Sequence, residues 1–277
     1  MDAVGMFPAT VRPTAAGKVA LIAITAALYA VAKGLTAFIP TPFGVGQFLL
    51  FIFVPAFFAI TGDTLSAATG AAIGTFLGDT IFLTPLGQTN PALSLVSGVP
   101  ANFVAFLLYG YLVKRYRSWS AFISSTVLCL TLGNLIAATL VVAFAAKVFL
   151  PAFSSIVAKY GVASLVLGYT LFWTGTMVPA VVIAIPLLLR ALRPLVGRSS
   201  ILSYYPEWSD YEVRRLLPAA IGYAIAFIVI GVGFFVLQFN VLQGWSVVGS
   251  WILVAGVVLA IVGPVAGLLA GTKRPGY

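Results

Sequence analysis

Residues 18–86 read KVALIAITAALYAVAKGLTAFIP (18–40), TPFGV (41–45), GQFLLFIFVPAFFAITGD (46–63) and TLSAATGAAIGTFLGDTIFLTPL (64–86). The first, third and fourth pieces are long and apolar enough to cross a bilayer, or nearly so, since one helical crossing takes ~20 apolar residues. The fold class that follows is all-α, a polytopic membrane helix bundle. Within the first piece, small residues recur at Ala16, Ala20, Ala23, Ala27, Ala30 and Gly34. Steps that alternate between four and three residues put them on one helical face. A face without bulk lets another helix approach closely, which is how helices associate in lipid. Two occupants suit it: the protein's own neighbouring helices, or a separate membrane subunit docked on Ala23, Ala26, Ala27 and Ala30.

The rest of the chain has the same character. It is 61% hydrophobic and 8% charged, with a mean hydropathy of +1.12, which excludes a soluble domain. Histidine is absent and Cys129 is the single cysteine. There is thus no disulfide framework, no metal cluster and no histidine general base, so neither a metal, a cofactor nor enzymatic activity is expected. The net charge of +9 comes from residues that flank apolar spans. It argues for membrane orientation rather than nucleic-acid binding. No GxxxxGK[ST] loop occurs, so any ATP hydrolysis must come from another chain.

Outward from the opening stretch, eight spans are expected at roughly 18–39, 46–62, 64–86, 91–113, 119–146, 162–192, 217–239 and 246–271. The second is the shortest and contains Pro55. With the N-terminus inside, 12 of the 15 basic residues fall on the cytoplasmic side, leaving Lys33, Lys147 and Lys159 for the outer half. The positive-inside rule demands such a split. Both termini are therefore expected in the cytoplasm of a plasma-membrane protein. The organisation that results is a cytoplasmic tail (1–17), a six-helix membrane domain (18–196), a cytoplasmic linker (197–216) and a two-helix hairpin (217–277). The tail lacks an apolar core, so no cleavable signal is expected.

Ionisable residues inside a span are costly and face a cavity or a partner. Lys33 lies fifteen residues after Lys18, and Asp79 fifteen after Thr64. Both spans run outward, so both groups sit ~22 Å above the cytoplasmic edge. They are expected to pair, either as a structural ion pair or at the mouth of a pocket. Asn102, Asn134, Trp173 and Thr174 fall near mid-membrane on spans four, five and six, at a level where amides need partners. The partner is another helix or a ligand. The outer connections add Gln47, Gln88, Thr89 and Asn90 between prolines and glycines, as cover for a pocket or simply as turns.

The first six spans resemble the substrate-binding S component of energy-coupling factor vitamin transporters. The likeness rests on Ala23/Ala27 with overlapping Ala26/Ala30, on GQFLLFIFVPAFFAITGDTLSAATGAAIGTFLGDTIF (46–82), and on MVPAVVIAIPLLLRALRPL (177–195). The resemblance implies a six-span core with the ligand in the outer half among spans four to six, roofed by the 1–2, 3–4 and 5–6 connections. It also implies docking of the alanine face on a transmembrane T subunit that carries an ATPase pair, and release by toppling of the whole unit. Spans seven and eight depart from the family, which has six. On this basis the chain is expected to be the substrate-capture subunit of an ATP-driven importer for a small, water-soluble, vitamin-like molecule. Lys33, Gln47, Asp79, Gln88, Asn90, Asn102, Asn134, Trp173 and Thr174 would be its binding residues. The alternative is a self-sufficient secondary transporter or channel for a small polar solute.

Overall fold

The computed structural model describes residues 12–41, 43–145, 153–204 and 206. The expected spans at 217–239 and 246–271, most of the linker, the first eleven residues and Lys147 lie outside the described residues.

Each long apolar stretch within them folds as a helix, and four of the helices start where a side chain satisfies a free backbone N–H. Thr14 Oγ1 accepts from Gly17 N at 3.0 Å to open α1, Ala15–Gly34. Asp63 accepts from Ser66 N at 3.0 Å to open α3, Thr64–Gly78. α3 continues into a π turn over Asp79–Leu83. Asn90 caps α4, Pro91–Val96, whose proline fills the first helical turn without wasting a donor. After a break at Ser97 the chain resumes as α5, Gly98–Tyr116. Ser118 caps α6, Trp119–Phe144, and α7, Phe153–Tyr160, leads to α8, Val162–Ala191. Five of these stretches are long and apolar enough to cross a membrane: 15–34, 64–83, 91–116, 119–144 and 162–191. Among the described residues there is no strand beyond an isolated bridge between Pro40 and Gln47.

The second expected span differs from expectation. Its helix is confined to a 3-10 turn, Leu50–Ile52, followed by α2, Phe53–Thr61. Residues 43–49 stay out of the helix because Gly44 and Gly46 take φ of +80° and +76°, and Gln47 pairs with Pro40 instead. The segment nevertheless carries the chain back along α1. Gln47 bonds the backbone of Lys33 near one end of α1, and Asp63 pairs with Lys18 near the other, at 3.6 Å. Residues 55–61 are buried throughout, because α1, α3, α5 and α8 all pack around α2.

The outer helices follow chain order: α1 on α3, α3 on α5, α5 on α6 and α6 on α8. The α1–α3 contact is close because α3 presents Gly70, Gly74 and Gly78 at every fourth position. A Cβ on Gly74 would stand 2.8 Å from Ala26 O, and one on Gly78 would stand 2.9 Å from the Lys33 side chain. In lipid, where no hydrophobic force drives helices together, this backbone approach supplies the dispersion contacts that do.

One end of the bundle gathers the polar termini. There Lys114 Nζ donates to Gly62 O and to Thr64 Oγ1, and Tyr204 N donates to Thr61 O. Burial alone would raise the Asp63 carboxyl. The Ser66 hydrogen bonds, with Lys18 and Lys114 nearby, outweigh it and hold the group below the ordinary carboxylate value.

Candidate functional site

Toward the other end, a narrow cavity opens among α1, α3, α5, α6 and α8, beneath residues 45–52. Its volume is about 70 Å³. Seven of the residues singled out from sequence line it: Lys33, Gln47, Asp79, Thr89, Asn102, Asn134 and Trp173. They come from seven separate helices, turns or connections, which helix packing brings together.

The charged edge of the cavity is the Lys33–Asp79 pair. Lys33 Nζ lies 2.5 Å from Asp79 Oδ1, with the side chains 6% and 9% exposed. Asp79 stands at the first residue of the π turn, whose looser ladder sends Thr84 N back to Asp79 O at 2.8 Å. Ser94 Oγ donates to the second carboxylate oxygen at 2.6 Å, and Lys33 Nζ sits 6.0 Å from the centroid of the Tyr29 ring. Both charges are thus compensated within the protein. A buried ion left alone costs several kcal/mol (roughly).

The amide wall is held from behind. Asn134 Nδ2 donates to Thr174 Oγ1 at 3.0 Å, while Asn102 Nδ2 donates to Gly98 O at 2.9 Å. Tyr29 OH reaches Asn102 Oδ1 at 3.4 Å. Thr174 is therefore behind the lining, as the group that orients Asn134.

The roof is the connection between α1 and α2. Trp173 Nε1 donates to Gln47 O at 3.1 Å, and Tyr169 OH to Phe43 O at 3.4 Å. Phe43 lies on Tyr169 with ring centroids 4.8 Å apart, and Tyr169 on Trp173 at 4.9 Å. A Cβ on Gly46 would meet the Trp173 ring at 2.9 Å, so only glycine fits between strap and indole. Gly46 N donates to Gln88 O at 2.9 Å, and Gln88 Nε2 to Ala37 O at 2.8 Å. Gln88 therefore ties the two outer connections together and does not line the cavity. Asn90 does not line it either, since its side chain caps α4.

Among the residues that line the cavity, Gln47 stands apart. Its Nε2 donates to Lys33 O at 2.8 Å and to Thr36 Oγ1 at 3.2 Å. Its Oε1 is buried and accepts from no group among the described residues. A buried acceptor left unmade costs about 1–3 kcal/mol.

Family models, curated proteins and solved structures give no match to this chain.

Sequence reasoning passed over Thr75, Ser97 and Ser94. The first two line the cavity, and the third holds Asp79. Hydroxyls on apolar helices usually bond their own backbone, as Thr75 and Ser97 do here, so nothing in the sequence separates them from the rest. The four alanines do not share one environment. Ala26 and Ala30 are buried against α3, whereas Ala23 and Ala27 are exposed.

Proposed function

We propose that this chain captures a small, water-soluble, vitamin-like molecule as the substrate subunit of an ATP-driven importer of the energy-coupling factor type. The observation that carries the reading is the strapped cavity. Polar groups from helices distant in sequence converge in an otherwise apolar bundle, under a connection latched to α8. Convergent polar groups in an apolar concavity are the usual mark of a small-molecule site. Lys33, Gln47, Asp79, Asn102, Asn134 and Trp173 contact the solute, Thr174 orients Asn134, and Gln88 and Asn90 hold the outer connections in place. Ala23 and Ala27 offer the bilayer-facing side of α1 to a transmembrane T subunit and its ATPase pair. The basic end of the bundle faces the cytoplasm of a plasma-membrane protein.

A second reading is a self-sufficient secondary transporter or channel, favoured by a carboxylate–ammonium pair on the cavity wall, since such groups inside membranes serve ion coupling. Reconstitution of the purified chain in liposomes under a proton or sodium gradient, with no ATPase present, separates the two. Co-purifying solute that is bound but not moved supports capture. Gradient-driven accumulation overturns it in favour of the second reading.

A further inference from the structure

The cavity has an acceptor without a donor and charges without a deficit. Gln47 is 1% exposed. Its amide is fixed by two donated bonds, so the side chain cannot turn to satisfy Oε1 without giving them up. Lys33 and Asp79 neutralise one another, and Ser94 occupies the remaining carboxylate oxygen. Among the described residues, no other ionisable side chain lines the cavity. A ligand with net charge would therefore be buried uncompensated or would have to break the pair.

We infer that the cavity takes an electrically neutral molecule that donates an N–H or O–H hydrogen bond to Gln47 Oε1. The inference rests on the capture reading and narrows its substrate class to neutral heterocycles, amides and similar donors. It sets permanently charged organic cations and carboxylate-bearing solutes outside that class. Trp173 supplies an apolar, aromatic surface in the same cavity. Its indole N–H fastens to the backbone of the same Gln47, so donor recognition and roof closure meet at one residue.

The test is mass spectrometry of small molecules retained by the full chain purified in mild detergent, on wild type, Gln47→Met and Gln47→Glu. The methionine variant keeps the length and removes the acceptor, while the glutamate keeps an acceptor and, when protonated, a donor to Lys33 O. The expected result is a neutral, donor-bearing molecule in wild type, at least tenfold less of it in Gln47→Met, and retention in Gln47→Glu. Melting temperatures of all three check that the bundle is intact. A retained molecule with net charge, equal retention in Gln47→Met, or equal loss in both variants would overturn the inference and leave capture standing. An empty wild-type chain would remove the capture reading and this inference together.

Discussion

Lys33 Nζ and Asp79 Oδ1 stand 2.5 Å apart on the wall of the cavity, joining α1 to the π turn that follows α3. Each charge is buried, and each is tolerable only because the other is there.

Single replacements should accordingly be worse than a double one. Lys33→Met or Asp79→Leu leaves its partner buried and unpaired, at a cost of about 3–5 kcal/mol. The double variant Lys33→Met/Asp79→Leu removes both charges and should recover most of that loss. Thermal unfolding in detergent measures it, read as a double-mutant cycle. A double variant that melts at the sum of the two single shifts would show that the pair is not energetically coupled.

This pair was legible in the sequence because depth is arithmetic: two residues equally far along two parallel spans arrive at one level. Asn102, Asn134 and Trp173 were legible for the same reason. The second span was not, because hydropathy counts apolar residues, whereas the backbone of Gly44 and Gly46 decides where helix begins. The alanine face was legible only as a face. Which half of it is used internally depends on the glycines of α3, whose missing side chains draw Ala26 and Ala30 inward. Ser94 reaches Asp79 only because the chain breaks at Ser97 between α4 and α5, a local event that no periodicity announces.

The acidic end-group Asp63 makes stability depend on pH in one direction. Its folded value lies below the ordinary one, so it stabilises the fold above about pH 4, and that contribution is lost as pH falls through the lowered value. Asp63→Asn keeps a side chain able to cap α3 and removes the charge. It should lower the free energy of unfolding slightly at pH 7, by under ~1 kcal/mol given the partial exposure. The difference from wild type should narrow progressively as the pH is lowered below about 4 toward the lowered folded value. A constant difference across that range would assign the effect to the cap rather than the charge.

The strap should respond to a single nitrogen on α8. Trp173→Phe retains an aromatic ring and deletes the N–H that holds Gln47 O. One neutral hydrogen bond contributes about 1 kcal/mol. Amide exchange at Gly46 and Phe48, whose N–H groups bond Gln88 O and Ile39 O, should therefore quicken several-fold. The amides of α6 should be unaffected. Unchanged exchange at Gly46 would mean that the Phe43–Tyr169 contact holds the roof unaided.

The last expectation divides the four alanines of α1 by what they touch. Ala26 and Ala30 are each 5% exposed, and Ala26 O already lies where a Cβ on Gly74 would clash. Enlarging either to leucine should push α1 off α3 and cost about 1–3 kcal/mol or more, as overpacking does. Ala23 and Ala27 are exposed, on a side of α1 that also carries Val19, Leu28 and Val31 outward. Leucine there meets only what lies outside the described residues, so Ala23→Leu/Ala27→Leu should leave the stability within about 0.5 kcal/mol of wild type. If a T subunit docks on that side, the same double variant should abolish co-purification with the ATPase complex and uptake into cells while solute remains bound. Full uptake by a stable Ala23→Leu/Ala27→Leu chain would place the motor elsewhere, and a large loss of stability would show that the protein's own remaining segments already cover that side.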